Sequence, residues 1–336
     1  MMKTSFTKLL TTAIILLFIG IVYAPSITAN NNSGVGNTIY VDDDNTDGPW
    51  DGTLEHPYQY IQDGVDNASN RDVVYVYGGM YNENIHIDKS LDLIGEKSNN
   101  PIIHSKDDSF FSRIMIINGT KINVNGFEIG NNKHANYGIW INEKSSGITI
   151  SDNVINCKST GISVDSAYNI RIIHNIFTNL STGIILARVI KAMIKENHFF
   201  GTTIDSIRLG LSSNIIIQEN IIDETKGACA IEMWFNFNTR LKRNSFSDNR
   251  YGLAIYYSYF TRIEENNFIN NGNGDEEFGQ AAIFVSYFNR WKRNYWDDWN
   301  GTGPYIINGI QFKRDYVNYD WLPAREPYDI SILEVP

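Results

Sequence analysis

Three rows of side chains in the C-terminal third of this sequence carry types and spacings that could do binding chemistry. They are set against a recurring Asn. Ten residues before it stand Trp234, Tyr256 and Phe284; seven before it, Phe237, Tyr259 and Tyr287; four before it, Arg240, Arg262 and Arg290. Aromatic faces stack on sugar rings, and guanidinium groups bind carboxylates in pairs of hydrogen bonds, so these rows suit a polysaccharide. A competing reading has the rings covering one another, a loop or a cap, with the arginines paired to Glu264 or Glu265. The sequence leaves both open.

Catalysis on sugars needs grouped carboxylates, either an acid and a base some 5–10 Å apart or acids holding a metal. The best members are Glu232, two residues before Trp234, and the run Asp275, Glu276 and Glu277 in a long insertion. No column repeats Asp or Glu, and turn chemistry accounts for the pair Asp297 and Asp298. The residues therefore favour a binding module over an enzyme, with a lyase or hydrolase as the alternative. Asp43, Asn45 and Asp47 match the opening of a calcium loop with Gly48 at the bend, but Leu54 stands where the closing acid should be. Calcium and a solvated acidic turn are the two readings there. Copper needs clustered Cys, Met or His. Met193, His174 and His198 come nearest but sit at different register positions, so the residues do not favour copper.

The elements that position these side chains follow from the Asn spacing. Asn153, Asn175, Asn197, Asn220, Asn244, Asn266 and Asn294 recur at intervals of 22, 22, 23, 24, 22 and 28 residues, each followed two positions later by Ile, Phe or Trp. Between them run alternating apolar pairs such as Ile162 and Val164, then Ile170 and Ile172. Period-two alternation means strands, and a fixed period in the twenties means a solenoid. The predicted fold is all-β: one right-handed parallel β-helix of coils about 22 residues long, each coil giving about three short strands. Leucine-rich repeats share the period but not this β-branched, Asn-rich composition. Stacked amides hydrogen-bond along the axis, and Asn tolerates the left-handed turn between strands, so the Asn column reads as a structural ladder.

Residues 1–29 read as a secretory signal: Lys3 and Lys8, an apolar run from Leu9 to Val22, then small-residue cleavage sites. Losing it takes the net charge from −10 to −12, which argues against nucleic acid and anionic membranes as partners. No later segment could span a bilayer. Cys157 and Cys229 fall three coils apart, roughly 14 Å, beyond disulfide reach. Residues 30–95 read as an N-terminal cap and first coils, with a helix in His56–Ala68 that begins at Pro57 and packs Tyr60, Ile61, Val65 and Ala68. Residues 96–294 are the repeats, 295–325 an aromatic C-terminal cap, and 326–336 a tail. The chain is read as an extracytoplasmic monomer that binds polysaccharide or a glycoconjugate.

Three stretches resemble the NosD-type β-helix family, within the wider pectin-lyase-like superfamily. They are Ile39-Tyr40-Val41-Asp42-Asp43-Asp44 leading to the helix, the Asn-centred coils, and the closing Asn294-Tyr295-Trp296-Asp297-Asp298-Trp299 with Tyr319-Asp320-Trp321-Leu322-Pro323. The resemblance covers roughly residues 38–325. It implies a parallel β-helix. The superfamily includes polysaccharide lyases and hydrolases, carbohydrate-binding surface proteins and a periplasmic protein linked to copper delivery, and fold does not choose among them.

Overall fold

The computed structural model describes residues 36–331, apart from 108, 110–111, 131–136, 273–278 and 312–313. Residues 1–29, read above as a leader, Asp275, Glu276, Glu277 and the last five residues therefore lie outside the described residues. The chain is a parallel β-solenoid. Its third face is a ten-stranded sheet running from Met80–Asn82 to Tyr295–Trp296. The first and second faces are built from longer strands, such as Thr160–Asp165 and Tyr168–Ile173 within one coil. Alternate side chains of each strand point inward, so Ile162, Val164, Ile170 and Ile172 are buried and the axis is filled by stacked aliphatic residues. Phe177 and Phe199 stack at 4.6 Å on the third face, and farther along Phe246, Phe268 and Trp296 continue the column.

The Asn column is the predicted ladder. Asn175 donates both its backbone N–H and its side-chain amide to Asn197 Oδ1, at 2.9 and 3.0 Å, and the pattern repeats up to Asn294. The second amide hydrogen goes to backbone carbonyls, as from Asn175 to Ile150 O at 2.9 Å. These amides are buried, so every donor needs a partner. The expected left-handed Asn is corrected by the structure: the preceding residue takes that conformation. Asp152, His174, Glu196, Glu219, Arg243, Glu265 and Arg293 have φ between 53° and 58°. That bend turns the Asn side chain inward to its ladder partners.

A helix, Ile61–Asn67, covers the N-terminal end. It begins four residues after Pro57, which instead precedes a bridge from Tyr58 to Val41, and Tyr60 is exposed rather than packed. Ile61 and Val65 are buried, and a Cβ on Gly64 would meet Val41 at 2.7 Å, so only Gly lets the helix sit this close. The helix has no side-chain cap of its own. Glu83, from the first coil, supplies one: its carboxylate accepts the N–H groups of Ile61 and Gln62 at 2.8 and 2.9 Å. Burial pushes the Glu83 carboxyl above the usual range, against the pull of those donors. Glu83→Ala is expected to cost about 1–3 kcal/mol in urea unfolding, because two buried donors lose their acceptor. A folded value above the unfolded one gives stability that is fullest in acid. The wild-type advantage therefore shrinks as pH rises from the ordinary Glu range through the raised value.

At the other end, Tyr305–Gln311 and Arg314–Asp320 form an antiparallel hairpin whose first strand continues the first face beyond Ala281–Phe284. Trp296 is sandwiched between Phe268 at 4.3 Å and Tyr305 at 4.0 Å, so the aromatic cap closes the core column. Part of the 326–336 segment is tied back to the coils. Tyr328 exchanges hydrogen bonds with the Asn267 side chain at 2.8 and 2.9 Å, and its hydroxyl donates to Arg293 O at 2.7 Å. Cys157 and Cys229 are both buried and free. Among the described residues no helix is long and apolar enough to cross a membrane.

Candidate functional site: an aromatic corner

The strand Cys229–Trp234 turns Ile231 and Met233 into the core and leaves Glu232 and Trp234 facing out. Parallel register places Trp234 above Gly210 and below Tyr256, with Phe284 next. The three rings stack nearly parallel, at 4.0 Å and 4.7 Å. The second row holds its register too, through bridges from Phe237 to Tyr259 and from Tyr259 to Tyr287, whose rings lie 5.8 Å apart. Rings of one row therefore cover one another along the axis. What they leave is a ribbon of ring edges, together with the faces at the two ends of each stack.

Four further aromatics belong to this corner. Phe235 and Tyr257 sit at the bend that ends the first-face strands, and Phe260 and Phe288 lie just past it, one residue after the Tyr259 and Tyr287 bridges of the second face, with φ of 55°, 48°, 58° and 59°. An L-residue in that conformation costs roughly 1–2 kcal/mol, and Gly, Asn or Asp is its usual occupant. Here bulky rings take it and stay exposed: 41% for Phe235, 39% for Tyr257, 43% for Phe260 and 70% for Phe288. Phe235 stacks on Tyr257 at 4.9 Å and Phe260 on Phe288 at 5.1 Å. The bend is held by a second polar ladder, in which the N–H of Ser212, Asn236 and Ser258 donates to the side chain of the next coil at 3.1, 3.0 and 2.9 Å. The corner is hydrogen-bonded at its backbone, apolar and displayed.

The arginine row lies on the adjoining second face, with Arg240, Arg262 and Arg290 in register. Arg240 pairs with Glu264 at 3.3 Å, as the competing reading expected, while Arg262 and Arg290 are exposed. Glu232 meets Arg208 Nε at 3.2 Å, and Arg208 also bonds Asp205, which is fully buried and accepts the Cys229 N–H at 3.0 Å. Burial, then the Asp205 charge, push the Glu232 carboxyl above the usual range, while Trp234 and Arg208 pull it back. Of that carboxylate pair only Glu232 reaches the surface, so acid–base chemistry on a substrate would fall to it. Asp297 and Asp298 serve the cap: Asp297 accepts Asn270 N at 2.7 Å and bonds Gln280, and Asp298 accepts the Tyr305 hydroxyl at 3.1 Å.

One of the stacks' end faces borders a glycine. Trp234 is covered by Tyr256 on one side only; on the other stands Gly210, where an added Cβ would meet nothing within 4 Å. The indole face over Gly210 forms a step, with Arg208 and Glu232 beside it on the same outward positions of their strands.

The metal donors of the sequence are largely engaged elsewhere. Asp43 Oδ2 accepts Met80 N at 2.9 Å, Asn45 donates its amide to Pro57 O at 2.7 Å, and Asp47 is exposed. Both cysteines are buried, and burial pushes the Cys157 thiol up to about 12. Met115 and Met233 lie in the core, His174 is bound to Glu196 at 2.6 Å, and His198 faces Asp223 at 3.3 Å. Among the described residues no three His, Cys, Asp or Glu side chains converge as a metal site.

Fold and corner together define a parallel β-helix with a displayed aromatic edge. Residues 65–313 match the family model described as periplasmic copper-binding protein, NosD, and the chain belongs to that family. No curated protein sequence is significantly similar. Solved structures of similar fold include the GH136 lacto-N-biosidase from Eubacterium ramulus, with a TM-score of 0.57 and 12% identity over 77% of this chain. This chain spans 64% of the length of that one. PfbA, a surface adhesin of Streptococcus pneumoniae, gives 0.56 and 13% over 82% of this chain and 81% of its own. The Azotobacter vinelandii mannuronan C-5 epimerase AlgE4 A-module gives 0.53 and 14% over 80% and 88%. At such identities the likeness is one of fold.

Proposed function

We propose that this protein works outside the cytoplasm as a carbohydrate-binding β-helix, holding polysaccharide against the aromatic corner built from Trp234, Phe237, Tyr256, Tyr259, Phe284 and Tyr287 with Arg240, Arg262 and Arg290. The observation that carries the reading is the placing of Phe235, Tyr257, Phe260 and Phe288 at strained, exposed bends where Asn or Gly would cost less. Core packing gives no reason for rings at these positions; a displayed stacking surface does. The family description and the leader-like N-terminus support the extracytoplasmic setting. The glycan-directed names of several fold neighbours support the ligand class. Trp234→Ala combined with Tyr256→Ala is expected to weaken binding on a glycan array at least tenfold, and unchanged binding would refute the surface.

A second reading, a lyase or hydrolase, rests on the half-buried Glu232 beside the open Trp234 face. Product analysis over hours separates the two. Unsaturated or shortened glycans, abolished by Glu232→Gln with binding retained, establish an enzyme; intact glycans establish a binding module.

A further inference from the structure

The last coil and the terminal hairpin do not close on each other. The strand Arg314–Asp320 meets the strand Arg290–Lys292 at a single pair, Trp291 with Asp320, so a wedge opens between them. It forms a cleft of about 530 Å³, within the range that holds small ligands. Arg290 and Lys292 stand on one wall, and Asn318, Tyr319 and Trp321 on the other. Trp291, only 4% exposed, also lines it. Two features mark the cleft as a site. The Trp291 indole N–H and the Asn318 amide are buried with no protein acceptor, against the rule that such donors are paired. The chain carries a net charge of −10, yet this cleft brings together two cations and two unused N–H donors.

From this arrangement we infer that the cleft binds an acidic sugar residue, its carboxylate taken by the Trp291 and Asn318 N–H groups and the charges of Arg290 and Lys292. Tyr319 and Trp321, 5.1 Å apart and tilted by 36°, offer aromatic surface to the body of the ring. Trp321 is 68% exposed, as a stacking platform must be. A neutral ligand would leave both cations unanswered, and a purely apolar one would leave both donors unpaired. The inference rests on the polysaccharide reading and adds the class of sugar: a uronic acid at the C-terminal end of the corner.

The test uses the full chain and calorimetric titration with oligogalacturonate, its methyl ester and free glucuronate. Trp291→Phe removes one N–H and keeps the ring, and Lys292→Gln removes one charge; each is checked for an unchanged melting temperature. The acid oligomer is expected to bind at least tenfold more tightly than the ester, and each variant to lose about tenfold on the acid alone. Equal binding of acid and ester, or variants that leave acid binding unchanged, overturns the inference. Binding of free glucuronate supports the inference as well, since it is itself a uronic acid, and binding of neither acid overturns it. The Trp234→Ala, Tyr256→Ala double variant separates the two readings. If it retains acid binding while the cleft variants lose it, the corner fails and the cleft stands; if it loses all binding while the cleft variants change nothing, the reverse holds.

Discussion

Asp320→Ala is expected to destabilise the protein by about 3–5 kcal/mol, the largest effect of any single polar substitution outside the repeats. Every Asn of the ladder donates two hydrogens to the next Asn, so the last must donate to something that is not Asn. Asp320 is that terminator. It is fully buried, and its Oδ2 accepts the backbone and side-chain N–H of Asn294 at 2.8 and 2.9 Å. Its Oδ1 accepts Arg293 N at 3.1 Å and Leu322 N at 3.2 Å. A carboxylate offers acceptors only, which suits a site surrounded by donors. Asn at 320 would keep one acceptor oxygen and turn an NH₂ toward the remaining donors, so Asp320→Asn should cost nearly as much as Ala. Because a solenoid holds each coil by its neighbours, the loss should appear first at the end: limited proteolysis is expected to remove the hairpin before the coils unfold. A urea midpoint within error of wild type would show that the ladder does not need this end.

The ladder itself was legible because a repeat writes its register into the sequence. Columns counted from the Asn residues are the columns the structure pairs, including Gly210 with Trp234 and Arg262 with Arg290. What counting misses is whatever lies outside the period. Asp320 stands 26 residues beyond Asn294, in a hairpin that breaks the repeat, and its role follows only from the direction in which the amides donate. Pro57 predicts the helix, yet its start is set by Glu83, 22 residues beyond Ile61, which no local pattern encodes. The four bend aromatics could have been found: they repeat nine and six residues before the same Asn residues. The strand model expected only alternate positions to face outward, whereas a left-handed bend exposes consecutive ones. The cleft was hidden because it is formed by a mismatch between two strands rather than by any motif.

Gly210→Tyr is expected to stabilise the protein slightly and to abolish most glycan binding, a combination that separates recognition from folding. Position 210 lies in the Trp234 column, its backbone is not in the left-handed region, and an added Cβ would touch nothing within 4 Å. A ring there can extend the existing stack, whose members above are spaced at 4.0 and 4.7 Å, adding about 0.5–1.5 kcal/mol. The same ring covers the one Trp234 face that Tyr256 leaves open. If sugar stacks on that face beside Glu232 and Arg208, affinity should fall about thirtyfold, the equivalent of roughly 2 kcal/mol for a buried aromatic contact. Gly210→Ala, too small to reach the indole, should leave affinity unchanged and serves as the control. Trp234→Ala would confound the question, since it removes both the platform and a packed ring. Gly210→Tyr leaves Trp234 in place and removes only access to it, so undiminished binding in a protein of equal or greater stability would show that glycan meets the ring edges of the corner instead of this face.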